Sequence, residues 1–283
     1  MKQPKSSDEK VVAFAPAAIV ENEKRSFKPI PVRYLLPNLV TLIALCSGVT
    51  AIRFAVEGHF EFAVGGIIFA IVLDALDGRL ARYLKGTSRF GAELDSLADF
   101  VNFGVAPAMM MYFWSLNSLH TFGWAVCLML AIACALRLAR FNVALDDPKK
   151  PNWAGAFFTG IPAPAGALLC IAPLYLGFLG FIDEGHPFAK TISTYEILVA
   201  ALMVSRIPTF SGKSITRVPR EYALPILALM AVFVVFLFSY PWEVLSLLSF
   251  LYLVLIPVSV LAYRRQMRLA NVQPKDMNGP VTL

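Results

Sequence analysis

The chain of 283 residues is poor in the side chains that dominate soluble domains and zinc sites: 16% of its residues are charged, with 3 histidines and 4 cysteines. So little charge, set against 58% hydrophobic residues and a mean hydropathy of +0.65, excludes an ordinary soluble domain. The cysteines (Cys46, Cys127, Cys134 and Cys170) fall inside apolar runs without metal-finger spacing and read as packing residues. Strand-length alternation is missing, which argues against a membrane barrel. Residues 1–30 lack the apolar run of a signal peptide and read as a disordered polar tail, with the first span as an uncleaved insertion signal. No repeat of fixed period occurs, and no connection holds a soluble domain, so any active site must be built by the spans and their ends.

What the chain has is apolar stretches of roughly 17–25 residues, the length a helix needs to cross a bilayer. We read eight spans, at about 36–56, 60–78, 93–115, 121–138, 156–181, 194–210, 223–240 and 242–262. The fifth contains Pro162 and Pro164 and the sixth is short, so either is open to a kink or a re-entrant path. Basic residues fall in alternate connections: the N-terminal tail, the loops after the second, fourth and sixth spans, and the C-terminal tail. Of the 25 Lys and Arg, Arg53 and Lys190 alone lie elsewhere. The positive-inside rule then places both termini and these loops in the cytoplasm. The net charge of +6 follows from this topology and from attraction to anionic headgroups. Its division among separate loops, without one basic stripe, gives no nucleic-acid partner.

Carboxylates inside membrane helices are costly and need a compensating partner. Asp74 and Asp77 lie three apart near the cytoplasmic end of the second span, and Asp95 and Asp99 four apart at the start of the third. Each spacing places its pair on one helix face, so two adjacent helices aim four carboxylates at one point. Four such charges in a low dielectric require protons or cations. An all-oxygen donor set suits Mg²⁺, Mn²⁺ or Ca²⁺ better than zinc, and His59, His120 and His186 fall in the opposite connections. Gly78 and Gly91 leave room for a diphosphate or for a neighbouring helix, and Arg82 offers a planar fork to phosphate oxygens. Ordinary packing through small residues explains the glycines and Ala81 equally well on their own.

From Asp74 the chain reads DALDGRLARYLKGTSRFGAELDSLAD, that is D-x2-D-G-x2-A-R-x8-G-x3-D-x3-D. This resembles the motif of the CDP-alcohol phosphotransferases at every fixed position, a far more specific signal than a lone glycine motif. The resemblance implies an all-α polytopic membrane protein with a six-helix core over residues 34–220 and two additional transmembrane helices over 221–263. Cytoplasmic tails occupy 1–33 and 264–283. It implies transfer of a phosphatidyl or similar group from a CDP-linked donor to an alcohol, with release of CMP. It also implies two divalent ions, Mn²⁺ or Mg²⁺, with Asp74 and Asp95 bridging them and Asp77 and Asp99 completing one shell each. Asp99 is the implied base for the attacking hydroxyl.

Donor contacts implied in the same way are Gly78, Arg82 and Ser88, with Asn38 and Thr41 of PNLVT, an element similar to one that opens the family's first helix. Asn38 and Thr41 also have an ordinary reading as helix caps. The stretches RLARFN (137–142), FTGIPAPAGA (158–167) and MVSRIPTFSGK (203–213) resemble those of the type II phosphatidylserine synthases. That implies CDP-diacylglycerol as donor and L-serine as acceptor. Arg137, Arg140 and Asn142 are the acceptor candidates, with positive-inside anchoring as the alternative, and Glu93 either meets the serine amine or caps its helix. Glycerol 3-phosphate, inositol phosphate or choline remain alternative acceptors, and an ion or proton transporter is the rival from another class. The resemblance further implies a homodimer among membrane lipids and a bacterial cytoplasmic membrane. The last two spans carry almost no polar residues in their interiors and read as a peripheral addition.

Overall fold

The computed structural model describes residues 32–84, 86, 88–145, 157–182, 185–210 and 222–272. The expected N-terminal tail lies almost wholly outside them, as do Lys85, Lys149, Lys150, Lys213, Arg217, Arg220 and Lys275. The fold is helical. α1 (Val32–Val56) and α2 (Phe60–Tyr83) form a hairpin through a turn at Gly58, and α3 (Arg89–Phe100) returns toward the core. A π-helical turn at Val101–Val105 passes α3 into α4 (Ala106–Trp114), followed by α5 (His120–Leu145), α6 (Ala163–Cys170), α7 (Ala172–Phe178), α8 (Ala189–Val204), α9 (Ala223–Ser239) and α10 (Pro241–Val272).

Among the described residues, four segments suffice by length and composition to cross a membrane: Leu35–Val56, Leu116–Ala144, His186–Val204 and Pro241–Gln266. Ala163–Phe178 and Leu224–Ser239 are shorter apolar helices. α2 has comparable length but carries Asp74, Asp77 and Arg79. The helices are apolar on most sides, as expected where lipid replaces water, and exposed leucines and phenylalanines line their outer faces.

Inside, helices meet through small residues. Ala51 and Ala55 of α1 are buried with Ala63, Val64 and Ile67 of α2, and Ser47 Oγ donates to Gly66 O at 2.7 Å. Backbones this close gain their attraction from van der Waals contact, the main source of helix association in lipid.

Several expected boundaries are corrected. The fifth span is not one helix: Pro162 precedes α6, Pro164 sits in its first turn where the missing N–H costs nothing, and the break falls at Ile171, ahead of Pro173 in α7. The stretch before it is a strand, β1 (Phe157–Thr159), paired antiparallel with β2 (Pro208–Phe210). The sixth span accordingly starts earlier, at Ala189, and its helix ends at Val204, with its expected last residues in β2. Gly160 closes the ribbon with φ +77°, and an added Cβ there would lie 2.8 Å from the carbonyl oxygens of both Met203 and Ser205, so only glycine fits. The last two spans are not both peripheral. α9 is exposed apart from Leu237, which packs against the core, whereas α10 buries Leu245, Ser249 and Ser259.

Candidate active site

Two helix ends build the acidic centre. Asp74 and Asp77 occupy the second half of α2, and Asp95 and Asp99 lie on α3, whose start is fixed by Ser88: its Oγ accepts from Gly91 N at 3.0 Å, one of the orphan donors of the first turn. One oxygen each of Asp74, Asp95 and Asp99 lies within 4.8 Å of the others. Asp77 stands apart from this trio. It is 4% exposed and accepts from Thr41 Oγ1 of α1 at 2.7 Å. Thr41 also donates to Pro37 O at 3.1 Å, so the hydroxyl is shared between its own helix and the acidic centre.

The donor set fits a hard divalent cation. Oxygens on one Mg²⁺ lie at most about 4.2 Å apart and on Ca²⁺ about 5 Å, so the trio needs little or no contraction to share an ion. Unrelieved, such carboxylates repel strongly in a low-dielectric setting. The site therefore has the chemistry of a divalent-metal centre, with no nitrogen or sulfur ligand among the described residues nearby to favour zinc.

Beside the trio opens a cleft of about 170 Å³ lined by Asn38, Thr41, Asp77, Gly78, Ser88, Gly91 and Asp95, among others. Four of the five expected donor contacts thus converge. A Cβ placed on Gly78 meets no protein atom within 4 Å, so this glycine is not kept small by a neighbouring helix and its open side is the cleft. Gly91 differs, since a Cβ there would lie 2.7 Å from Asn38 Oδ1; it lets α1 approach the start of α3. Arg82, the fifth, does not line the cleft: it is exposed, and its Nε donates to Gly78 O at 3.0 Å.

The acceptor candidates sit on α5, the two arginines tied to backbone and the asparagine to a side chain. Arg137 is 9% exposed, donates from Nε to Ile161 O at 2.7 Å and lies over the Phe141 ring. Arg140 Nη1 donates to Val204 O at 2.6 Å and Ser205 O at 3.3 Å, closing the C-terminal end of α8 where carbonyls lack helical partners. Asn142 Nδ2 donates to Ser96 Oγ at 2.9 Å, joining α5 to the residue after Asp95. Arg137 is therefore no solvated anchor, and Asn142 is a cross-tie to the acidic helix. Glu93 is exposed.

Sequence reasoning passed over Asn102, Glu196 and Tyr252. Asn102 lies in the π turn one turn past Asp99, 1% exposed, with its Oδ1 unpaired among the described residues. Glu196 of α8 is fully buried, and an acidic residue within an apolar run was itself a readable signal. Tyr252 carried none, being one aromatic among many on α10.

The CDP-alcohol phosphatidyltransferase profile matches residues 34–209, and the profile described as CDP-alcohol phosphatidyltransferase 2 matches 221–257. The chain is 39% identical over 230 residues to a CDP-diacylglycerol–serine O-phosphatidyltransferase of Mycobacterium tuberculosis, covering 81% of this chain and 79% of that protein. It is 36% identical over 228 residues to the Helicobacter pylori protein of the same description, covering 80% and 91%. A Methanocaldococcus jannaschii protein, also so described, is 35% identical over 181 residues, covering 63% and 76%.

Proposed function

The chain belongs to the CDP-alcohol phosphatidyltransferase family, and from that premise we propose that it transfers the phosphatidyl group of CDP-diacylglycerol to L-serine, giving phosphatidylserine and CMP. The observation that carries the choice of acceptor is the similarity to serine phosphatidyltransferases along four-fifths of the chain. It is an integral membrane protein, as its apolar helices and its family indicate.

The chemistry follows from the site. The serine hydroxyl oxygen attacks the phosphorus carrying the diacylglycerol, a new P–O bond forms, and the P–O bond to CMP breaks with its electron pair leaving on the CMP phosphate. Asp99, at the inner end of the acidic face, takes the hydroxyl proton. Asp74, Asp77, Asp95 and Asp99 would hold divalent cations, in our reading two Mn²⁺ or Mg²⁺, whose charge neutralises the diphosphate and favours CMP departure. Asn38, Thr41, Gly78 and Ser88 receive the cytidine diphosphate part in the cleft, where Gly78 admits phosphate oxygens close to the backbone. Arg82 reaches them from the rim. Arg137, Arg140 and Asn142 form the acceptor side, where a guanidinium suits the serine carboxylate. We further read eight crossings, with both termini and the site facing the cytoplasm of a bacterial membrane, a catalytic core over 34–220 and a homodimer. Clustering of the carboxylates at one end of two helices favours catalysis over a conduction path, which would spread them through the membrane depth.

The test is product formation by the purified protein in detergent with CDP-diacylglycerol and Mn²⁺, offered L-serine, glycerol 3-phosphate, inositol phosphate or choline. Phosphatidylserine from L-serine alone is expected. A phospholipid made from another acceptor would overturn the substrate while leaving the reaction type.

A further inference from the structure

Of the last two helices, α10 turns a stripe of hydroxyls inward. Ser249 is 8% and Ser259 1% exposed, and Tyr252 lies between them. Ser259 Oγ donates to Pro208 O of β2 at 2.9 Å. The next residue, Thr209, donates from Oγ1 to Gly160 O at 2.8 Å, and the carbonyl after that, Ile161 O, accepts from Arg137 Nε at 2.7 Å. Hydrogen bonds and peptide links thus run without a gap from α10 through the ribbon to Arg137. Tyr252, two helical turns before Ser259, faces both Thr209 and Arg137. Its buried hydroxyl is within reach of the Thr209 hydroxyl, and with Thr209 and Ser259 it lines a cavity of about 40 Å³.

Arg137 is the reason this path has a use. It is buried, makes no ion pair among the described residues, and acts electrostatically on Asp99. A buried guanidinium without an anionic partner is costly, and a planar fork next to the group that takes the acceptor's proton matches a carboxylate. The fork reads a carboxylate correctly only if its plane is fixed, and α5 alone does not fix it: Arg137 Nε donates to Ile161 O, in the loop that α10 supports.

We propose that α10 forms the back wall of the acceptor site, with Tyr252 and Ser259 as positioning residues that hold Arg137 to receive the carboxylate of the acceptor amino acid. The proposal rests on the serine-transfer reading above. It assigns the C-terminal helix a part in acceptor recognition.

The experiment is steady-state kinetics of the full chain in detergent, varying L-serine and CDP-diacylglycerol separately. Tyr252→Phe and Ser259→Ala should each raise KM for L-serine about five- to tenfold, with KM for CDP-diacylglycerol within about twofold of the parent, since one orienting hydrogen-bonding group is lost on the acceptor side only. Ser259→Thr should restore the parent value, because it keeps the hydroxyl and its methyl enters the 40 Å³ cavity. Ser246→Ala, on the same helix but lining a different cavity against α7 and α8, should behave as the parent. An unchanged KM for L-serine in both variants, or a parallel loss on both substrates, overturns the proposal. A parent that makes no phosphatidylserine overturns the serine reading first and this one with it.

Discussion

Asp99 illustrates what one side chain contributes in this site. It lies on the same helix face as Asp95, has a carboxylate oxygen within 4.8 Å of one on Asp74 across the helix pair, and interacts electrostatically with Arg137. Asp99→Asn keeps the shape while removing both a charge and a base, so kcat should fall about 10²- to 10⁴-fold, the span seen for general bases. CDP-diacylglycerol binding should be partly retained, because Asp74, Asp77 and Asp95 remain. Single-turnover kinetics with a separate binding measurement distinguishes the two, and full activity would remove Asp99 from the mechanism. The meeting of Asp74, Asp95 and Asp99 was legible because spacings of three and four have one meaning in a helix, whereas Asp77, expected to join them, stands apart. The Thr41–Asp77 bond was not, since its partners lie 36 residues apart and no local pattern encodes such a pairing.

At the scale of elements, the π turn after α3 deserves an explanation of its position. It is held from two sides: a Cβ on Gly48 of α1 would collide with Asn102 Oδ1, and one on Gly104 would come within 2.9 Å of Cys134 Cβ on α5. π turns are rare and frequent at functional sites, and here the widened turn directly follows Asp99. Gly48→Ala should therefore destabilise the protein by about 1–3 kcal/mol, as overpacking does. Gly65→Ala, with nothing within 4 Å of the added carbon, should leave the thermal midpoint in detergent unchanged or higher. Equal midpoints for the two variants would show that the clamp does not exist. Neither the π turn nor the β1–β2 ribbon was readable in advance. The first is a one-residue change of pitch within an apolar run, and the second joins segments that are short, apolar and far apart in the chain. Pro162 and Pro164 did mark an irregular fifth span, but the break itself moved to Ile171 because prolines in a first turn are tolerated.

For the whole molecule, the class was the most legible property, because the shortage of charge and the length of the apolar runs bound it without any contact information. The role of the C-terminal helices was not. Their composition is nearly uniform, and only packing separates α9, exposed apart from Leu237, from α10, which backs the ribbon and the buried arginine. In the proposed arrangement an acidic centre lies at the meeting of α2 and α3, with the donor cleft toward α1 and the acceptor wall toward α5 and α10. Its central requirement is divalent charge at Asp74, Asp95 and Asp99. The most direct measurement is CMP release from CDP-diacylglycerol and L-serine by protein stripped with EDTA, before and after adding back Mn²⁺ or Mg²⁺, alongside Asp74→Asn. Release should be absent after stripping, return with either ion in the parent, and stay absent in the variant; release that persists undiminished in EDTA would contradict the account.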